Sequence, residues 1–145
     1  MTNSYRCTSF QFLDVTILKK EIIKINGITK PRSPFNHVVK AGGLLFLTSQ
    51  LSRDLKTGRI IGGTIEEQTR QALDNVKFLL QSSGATMNDI VKVVIYMRDV
   101  GKFGEMNAIY REYFEDGEEP TRVTVQAPSP LGEIDIEIEV TAVAS

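Results

Sequence analysis

Near its C-terminal end the chain reads IDIEIEVTAV, in which Ile134, Ile136, Ile138, Val140 and Ala142 alternate with Asp135, Glu137, Glu139 and Thr141. Side chains on a strand point alternately to opposite sides, so this segment is a strand with one apolar face and one polar face. The apolar face needs a covering layer, and the polar face must meet water, a ligand or another chain. A chain of 145 residues is long enough to supply that layer itself but short for two domains. With 41% hydrophobic and 24% charged residues the composition suits a globular fold, which excludes disorder and collagen-like fibres. Lys+Arg 17 against Asp+Glu 18 gives a net charge of -1, so nothing global draws the protein to nucleic acid or anionic membrane. Either partner would need a local basic patch.

Upstream, Ile22, Ile23 and Ile25 form a short β-prone run among lysines, and TKPRSP ends it with two prolines. VVKAGGLLFLTSQ reads as two strands folded about Gly42-Gly43. Thr64 with Glu67 makes a capping box, and Ile65, Ala72, Val76, Leu79 and Leu80 lie on one face of a helix predicted over residues 65–83. DIVKVVIYM, residues 89–97, is short and β-branched, as a buried strand should be. Phe103, Met106, Tyr110, Tyr113 and Phe114 recur at helical spacing after Asp99 and Gly101, either of which can start a second helix with that stripe in the core. RVTVQ returns to strand. The order is strands, helix, strand, helix, strands, and both helices are expected on the single apolar face of one mixed sheet.

Other features bound the chemistry. Cys7 is the only cysteine, so no intrachain disulfide can form and the reducing cytosol is the expected compartment. His37 is the only histidine, and a metal site would have to borrow carboxylates or a neighbouring chain; none is expected. No apolar run reaches the roughly 20 residues that span a bilayer. Residues 1–17 lack the pattern of a targeting segment and read as an appendage or edge strand beside a single domain over 18–145. No GxSxG elbow accompanies His37, and GRIIGG lacks the spacing of a phosphate loop. Lys19, Lys20, Lys24, Lys30 and Arg32 form a basic stretch without interleaved aromatics, which reads as a lysine-protected edge strand before an RNA platform.

If the last two strands form a hairpin about Ser129-Pro130, Arg122 lies opposite Glu137, Thr124 faces Asp135 and Gln126 faces Glu133. Two readings fit. The face is either solvated, with a cross-strand ion pair, or an anion site in which a guanidinium forks a carboxylate and a neighbouring carboxylate holds water.

Several segments carry a resemblance: SPFNHVVKAGGLLFLTSQ, the stretch from TGRIIGG through MNAIYREYF, PTRVTV and the closing IEIEVTAV. In this order and spacing, from about Ile22 to the end, the chain resembles the RidA/YjgF family of enamine/imine deaminases, also labelled endoribonuclease L-PSP or translation inhibitor. The resemblance implies a chorismate-mutase-like α+β fold, a six-stranded mixed sheet with two helices, assembled as a homotrimer with clefts between subunits. It implies a cofactor-independent hydrolysis of small 2-imino or enamino acids to 2-keto acids and ammonia. Arg122, which follows Pro120-Thr121, would clamp the carboxylate and Glu137 would place water, with Asn107 retained nearby. The main chain about Ser49 and Arg122, with Thr48, Val123 and Thr124 beside it, would orient the imine.

Where the family reads GPYSQAV this chain has SPFNHVV, so Phe35 replaces a tyrosine and His37 a glutamine, and Ser49 stands where the family has glycine. Phe35 and His37 either favour aromatic or acceptor-bearing side chains in the substrate, or merely fill volume and face solvent. A ligand-binding or chaperone-like trimer and an endoribonuclease are the alternative functions that the resemblance leaves open.

Overall fold

A computed structural model of the chain describes residues 18–144, so the reading of 1–17 as an appendage or edge strand lies outside the described residues. The elements are β1 (Glu21–Ile23), β2 (Val38–Ala41), β3 (Leu44–Gln50), α1 (Ile65–Ser82), β4 (Ile90–Met97), α2 (Phe103–Arg111), β5 (Thr121–Gln126) and β6 (Ile136–Val143). They make one six-stranded sheet in the order β1-β2-β3-β6-β4-β5. Only β4 and β5 run parallel, and α2 makes the crossover between them that a parallel pair requires.

Local signals explain most boundaries. Gly42 and Gly43 take φ of 57° and 76°, the two positive values that a two-residue turn needs if its twist is to match that of β2 and β3. Thr64 caps α1 as expected: its hydroxyl accepts from the Glu67 amide at 3.2 Å, and the Glu67 carboxylate accepts from the Thr64 amide at 2.8 Å. At α2 the Asp99 carboxylate accepts from the Gly101 amide, and a 3-10 turn over Val100–Lys102 leads into the helix. The helix stops at Arg111, sooner than the aromatic spacing predicts, so Tyr113 and Phe114 pack on the core from beyond its end.

One sheet face is covered by the helices. Ile136, Ile138, Val140 and Ala142 of β6, Val93, Ile95 and Met97 of β4, and Leu45 and Leu47 of β3 are buried there with Val76, Leu79 and Leu80 of α1. Burying side chains of this size contributes about 1.5–3 kcal/mol each, so this layer holds the fold together.

The predicted hairpin between the last two strands does not form. β6 pairs with β3 on one side and β4 on the other, and β5 lies at the far edge beside β4. Arg122 is therefore level with Val93, and Glu137 with Tyr96; Thr124 does not face Asp135, nor Gln126 Glu133. The physical reason lies in the connector and in burial. Residues 127–135, with Pro128 and Pro130, are too long and too irregular to fix a register, and β6 gains more by inserting between β3 and β4 than by pairing at an edge.

Candidate functional site

The alternation of β6 sends Glu137 to the sheet face that no helix covers. β3 carries a bulge between Leu47 and Gln50. That extra residue lets Gln50 join the buried side while Ser49 turns to the open face, where its hydroxyl donates to Glu137 Oε2 at 2.7 Å. Ser129, from the β5–β6 connector, donates to the other oxygen, Oε1, at 2.5 Å. Two hydroxyls thus fix the plane of the carboxylate and leave it lone pairs for a water. Phe35, His37, Thr48 and Ser49 line one concavity with Glu137. Phe35 is 42% exposed and meets the His37 ring edge-on at 6.1 Å, and His37 Nε2 lies 3.3 Å from the Thr29 carbonyl oxygen. On the next outward position of β6, Glu139 accepts from the Tyr96 hydroxyl at 3.1 Å, and this bond, then burial, raises the phenol's pKa above its usual value.

Arg122 sits elsewhere. Its neighbour across the strand pair is Val93, a core residue, so its side chain runs to the helix side of the sheet and under α2. Nη1 donates to Asn107 Oδ1 at 2.8 Å. The guanidinium carbon stands 4.5 Å from the Tyr110 ring centroid and 5.5 Å from that of Phe103, within cation–π range of both. Burial pushes the Tyr110 phenol up to about 12, opposed by the Arg122 charge. The ring that supports the arginine is therefore neutral at physiological pH. Thr124 shares this side, level with Ile95, whereas Val123 points to the open face and is 53% exposed.

The residues expected to form one site are thus two groups on opposite faces, with β4 between their strands. Adjacent strands lie about 4.8 Å apart, so the Arg122 and Glu137 strands are separated by two such spacings and by the thickness of the sheet. A small ligand cannot touch both within one chain. In the sequence Ser129 reads only as a turn residue, and Tyr110 and Phe103 only as core. The spacing 103, 107, 110 was the available signal, because it places two rings on the face of α2 that also carries Asn107. No sequence signal pointed to Ser129. Among the described residues there is no group of three or more His, Cys, Asp or Glu placed to hold a metal ion, and no helix is long and apolar enough to cross a membrane.

The family model described as Endoribonuclease L-PSP matches residues 27–144. A RutC family protein of Pyrococcus horikoshii is 41% identical over 123 residues, which are 85% of this chain and 97% of that protein. Reactive Intermediate Deaminase A, chloroplastic, of Arabidopsis thaliana is 33% identical over 141 residues, 96% of this chain and 75% of that protein. Among solved structures, E. coli TdcF with bound serine superposes with a TM-score of 0.76 at 28% identity, covering 86% of this chain and 99% of that one. Its six-stranded mixed sheet, its two helices and these matches show that the chain belongs to the RidA/YjgF family, which includes reactive intermediate deaminases.

Proposed function

We propose that the protein hydrolyses small 2-imino or enamino acids in a site shared by two chains of a homotrimer. The observation that carries this reading is the separation of two prepared groups: a forked cation oriented by Asn107 and Tyr110, and a carboxylate oriented by Ser49 and Ser129, on opposite sheet faces. In a cyclic trimer one face of a subunit meets a different face of the next, which brings such groups together. Arg122 binds the substrate carboxylate bidentately. Glu137 of the adjoining chain accepts a proton from water as its oxygen attacks the imine carbon. The C–N bond then breaks as the nitrogen takes up a proton, so that iminium plus water gives 2-keto acid plus ammonium. An iminium carbon is already electrophilic, so orientation of the reactants is a sufficient source of acceleration and no cofactor is required.

The deaminase named among the relatives supports this reading, as does the serine in TdcF, an amino acid that carries the carboxylate an arginine would clamp. The single cysteine suits a reducing cytosol. Arg122→Lys tests the clamp in an assay where an amino-acid oxidase generates the imine. Lysine keeps the charge but cannot fork, and loss of one charged hydrogen bond should lower kcat/KM by about 10- to 100-fold with the fold intact. A variant equal to the parent would remove the clamp from the mechanism. A parent that binds keto acids but releases no ammonia would leave a ligand-binding trimer in place of a deaminase.

A further inference from the structure

The basic stretch noted in the sequence does not act as one unit. Lys20 and Lys24 flank the edge strand β1, whereas Lys30 and Arg32 turn into the concavity of about 990 Å³ that also holds Glu137 and Ser49. Arg53 and Arg59 line it as well. Glu137 is the only carboxylate in that lining, and its two oxygens are already engaged by serine hydroxyls. Among the described residues the ion pairs are Arg70 with Glu112 and Arg98 with Asp135, so none of the four cations of the concavity is held in a salt bridge, and only Arg59 has a carboxylate, that of Asp54, near enough to feel its charge.

Arg53 adds an independent sign. Its Nε is buried and has no hydrogen-bond partner, and an unpaired buried donor costs about 1–3 kcal/mol unless something satisfies it. The loop that presents it is rigid. Asn75 Nδ2 donates to the Leu51 and Arg53 carbonyls at 3.1 and 2.8 Å, and Arg53 makes a β-bridge to Ile60. Asp54 closes the turn by accepting from the Lys56 and Thr57 amides, contacts that hold its carboxyl below the usual range. The two arginines of this loop are therefore held on a fixed wall of the concavity that contains Glu137, on the other sheet face from the Arg122 of the same chain.

We infer that this wall is a subsite for a second anionic group, so that the preferred substrates are 2-imino acids whose side chain ends in a carboxylate or phosphate. The inference rests on the deaminase reading for its chemistry, but binding alone tests it. The parent is titrated calorimetrically with 2-oxoglutarate, with 2-oxohexanoate as an uncharged-tail control, and with 3-phosphonooxypyruvate as the phosphate arm. At least one of the two doubly anionic acids should bind about tenfold more tightly than the control, as one charge-assisted contact allows, and the tighter of the two identifies the group. Arg32→Gln/Arg53→Gln should bring that ratio to within about threefold of unity. If the double variant does not fold, Arg59→Gln, on an exposed position, should lower the ratio in the same direction.

Equal affinities, no binding of any of the acids, or a ratio that the variants leave intact would overturn the subsite. Displacement of 2-oxoglutarate by an RNA oligonucleotide that binds more tightly would also overturn it, by assigning the wall to nucleic acid. A preserved ratio without ammonia release from any imine would keep the subsite and discard the deaminase reading. Turnover that treats glutamate- and leucine-derived imines alike, with a ratio of one, would do the reverse.

Discussion

The two faces of the sheet use the same strands under different conditions. On the helix side β6 presents Ile136, Ile138, Val140 and Ala142, none more than 1% exposed. On the other side the same strand presents Glu137, Glu139, Thr141 and Val143, its neighbours β4 and β3 add Tyr96 and Phe46, and β5 beyond β4 adds Val123. Phe46, Val123 and Val143 are 45%, 53% and 44% exposed, which leaves more apolar surface than a face made only for water needs, while Glu137 and Glu139 are too polar for a dry core. A mixture of this kind suits a wet interface between chains. Alternation along a strand therefore says which residues share a face, and the covering layer decides what each face is for.

The covered side carries the largest expected effect. Ile138→Ala removes a fully buried branched side chain from the centre of the sheet and should cost about 2–5 kcal/mol in urea unfolding, because the cavity cannot collapse. A loss below ~1 kcal/mol would mean that the face is not the tightly packed layer described. On the open side Phe46→Glu should leave the fold of each chain intact and dissociate the proposed trimer, since it sets a charge in the interface that the proposal places there. Sedimentation should then give a monomer; a variant that stays trimeric would move the interface off this face.

A smaller effect separates Tyr110 from Tyr96. Tyr110, on the helix side, is raised to about 12 by burial, whereas Tyr96, on the open side, is raised chiefly by its bond to Glu139. For Tyr110, a pKa raised on folding means that its contribution to stability is full below the unfolded value near 10 and is lost as pH climbs through about 12. Tyrosinate absorbance followed in Glu139→Gln should show the Tyr96 phenol returning toward its ordinary range and that of Tyr110 unmoved. Movement of both would show that the faces are electrically coupled.

The parts of this fold that were legible in sequence are those fixed by local chemistry. The capping box of Thr64 and Glu67, the Gly42-Gly43 turn and the alternation of β6 each depend on neighbours a few residues away. The partner of β6 was not legible, because its choice compares burial at the sheet centre with pairing at an edge, and residues 127–135 impose no register. From that error followed the expectation that Arg122 and Glu137 face each other. The bulge that turns Ser49 toward Glu137 was hidden for the same reason: it exists only relative to β6. Sequence identified the residue types of the candidate site but not their faces, and the proposal of a site shared with a second chain rests on those faces.

The shared site is open to direct measurement. Arg122→Ala and Glu137→Ala chains, each inactive alone, are mixed, unfolded and refolded together, and imine hydrolysis is assayed. If every site takes Arg122 from one chain and Glu137 from the next, random cyclic trimers of a 1:1 mixture regain about a quarter of the parent's sites. Recovery near that level is the predicted result. No recovery, in mixtures shown by sedimentation to contain mixed trimers, would place both residues in a site within one chain and contradict the account.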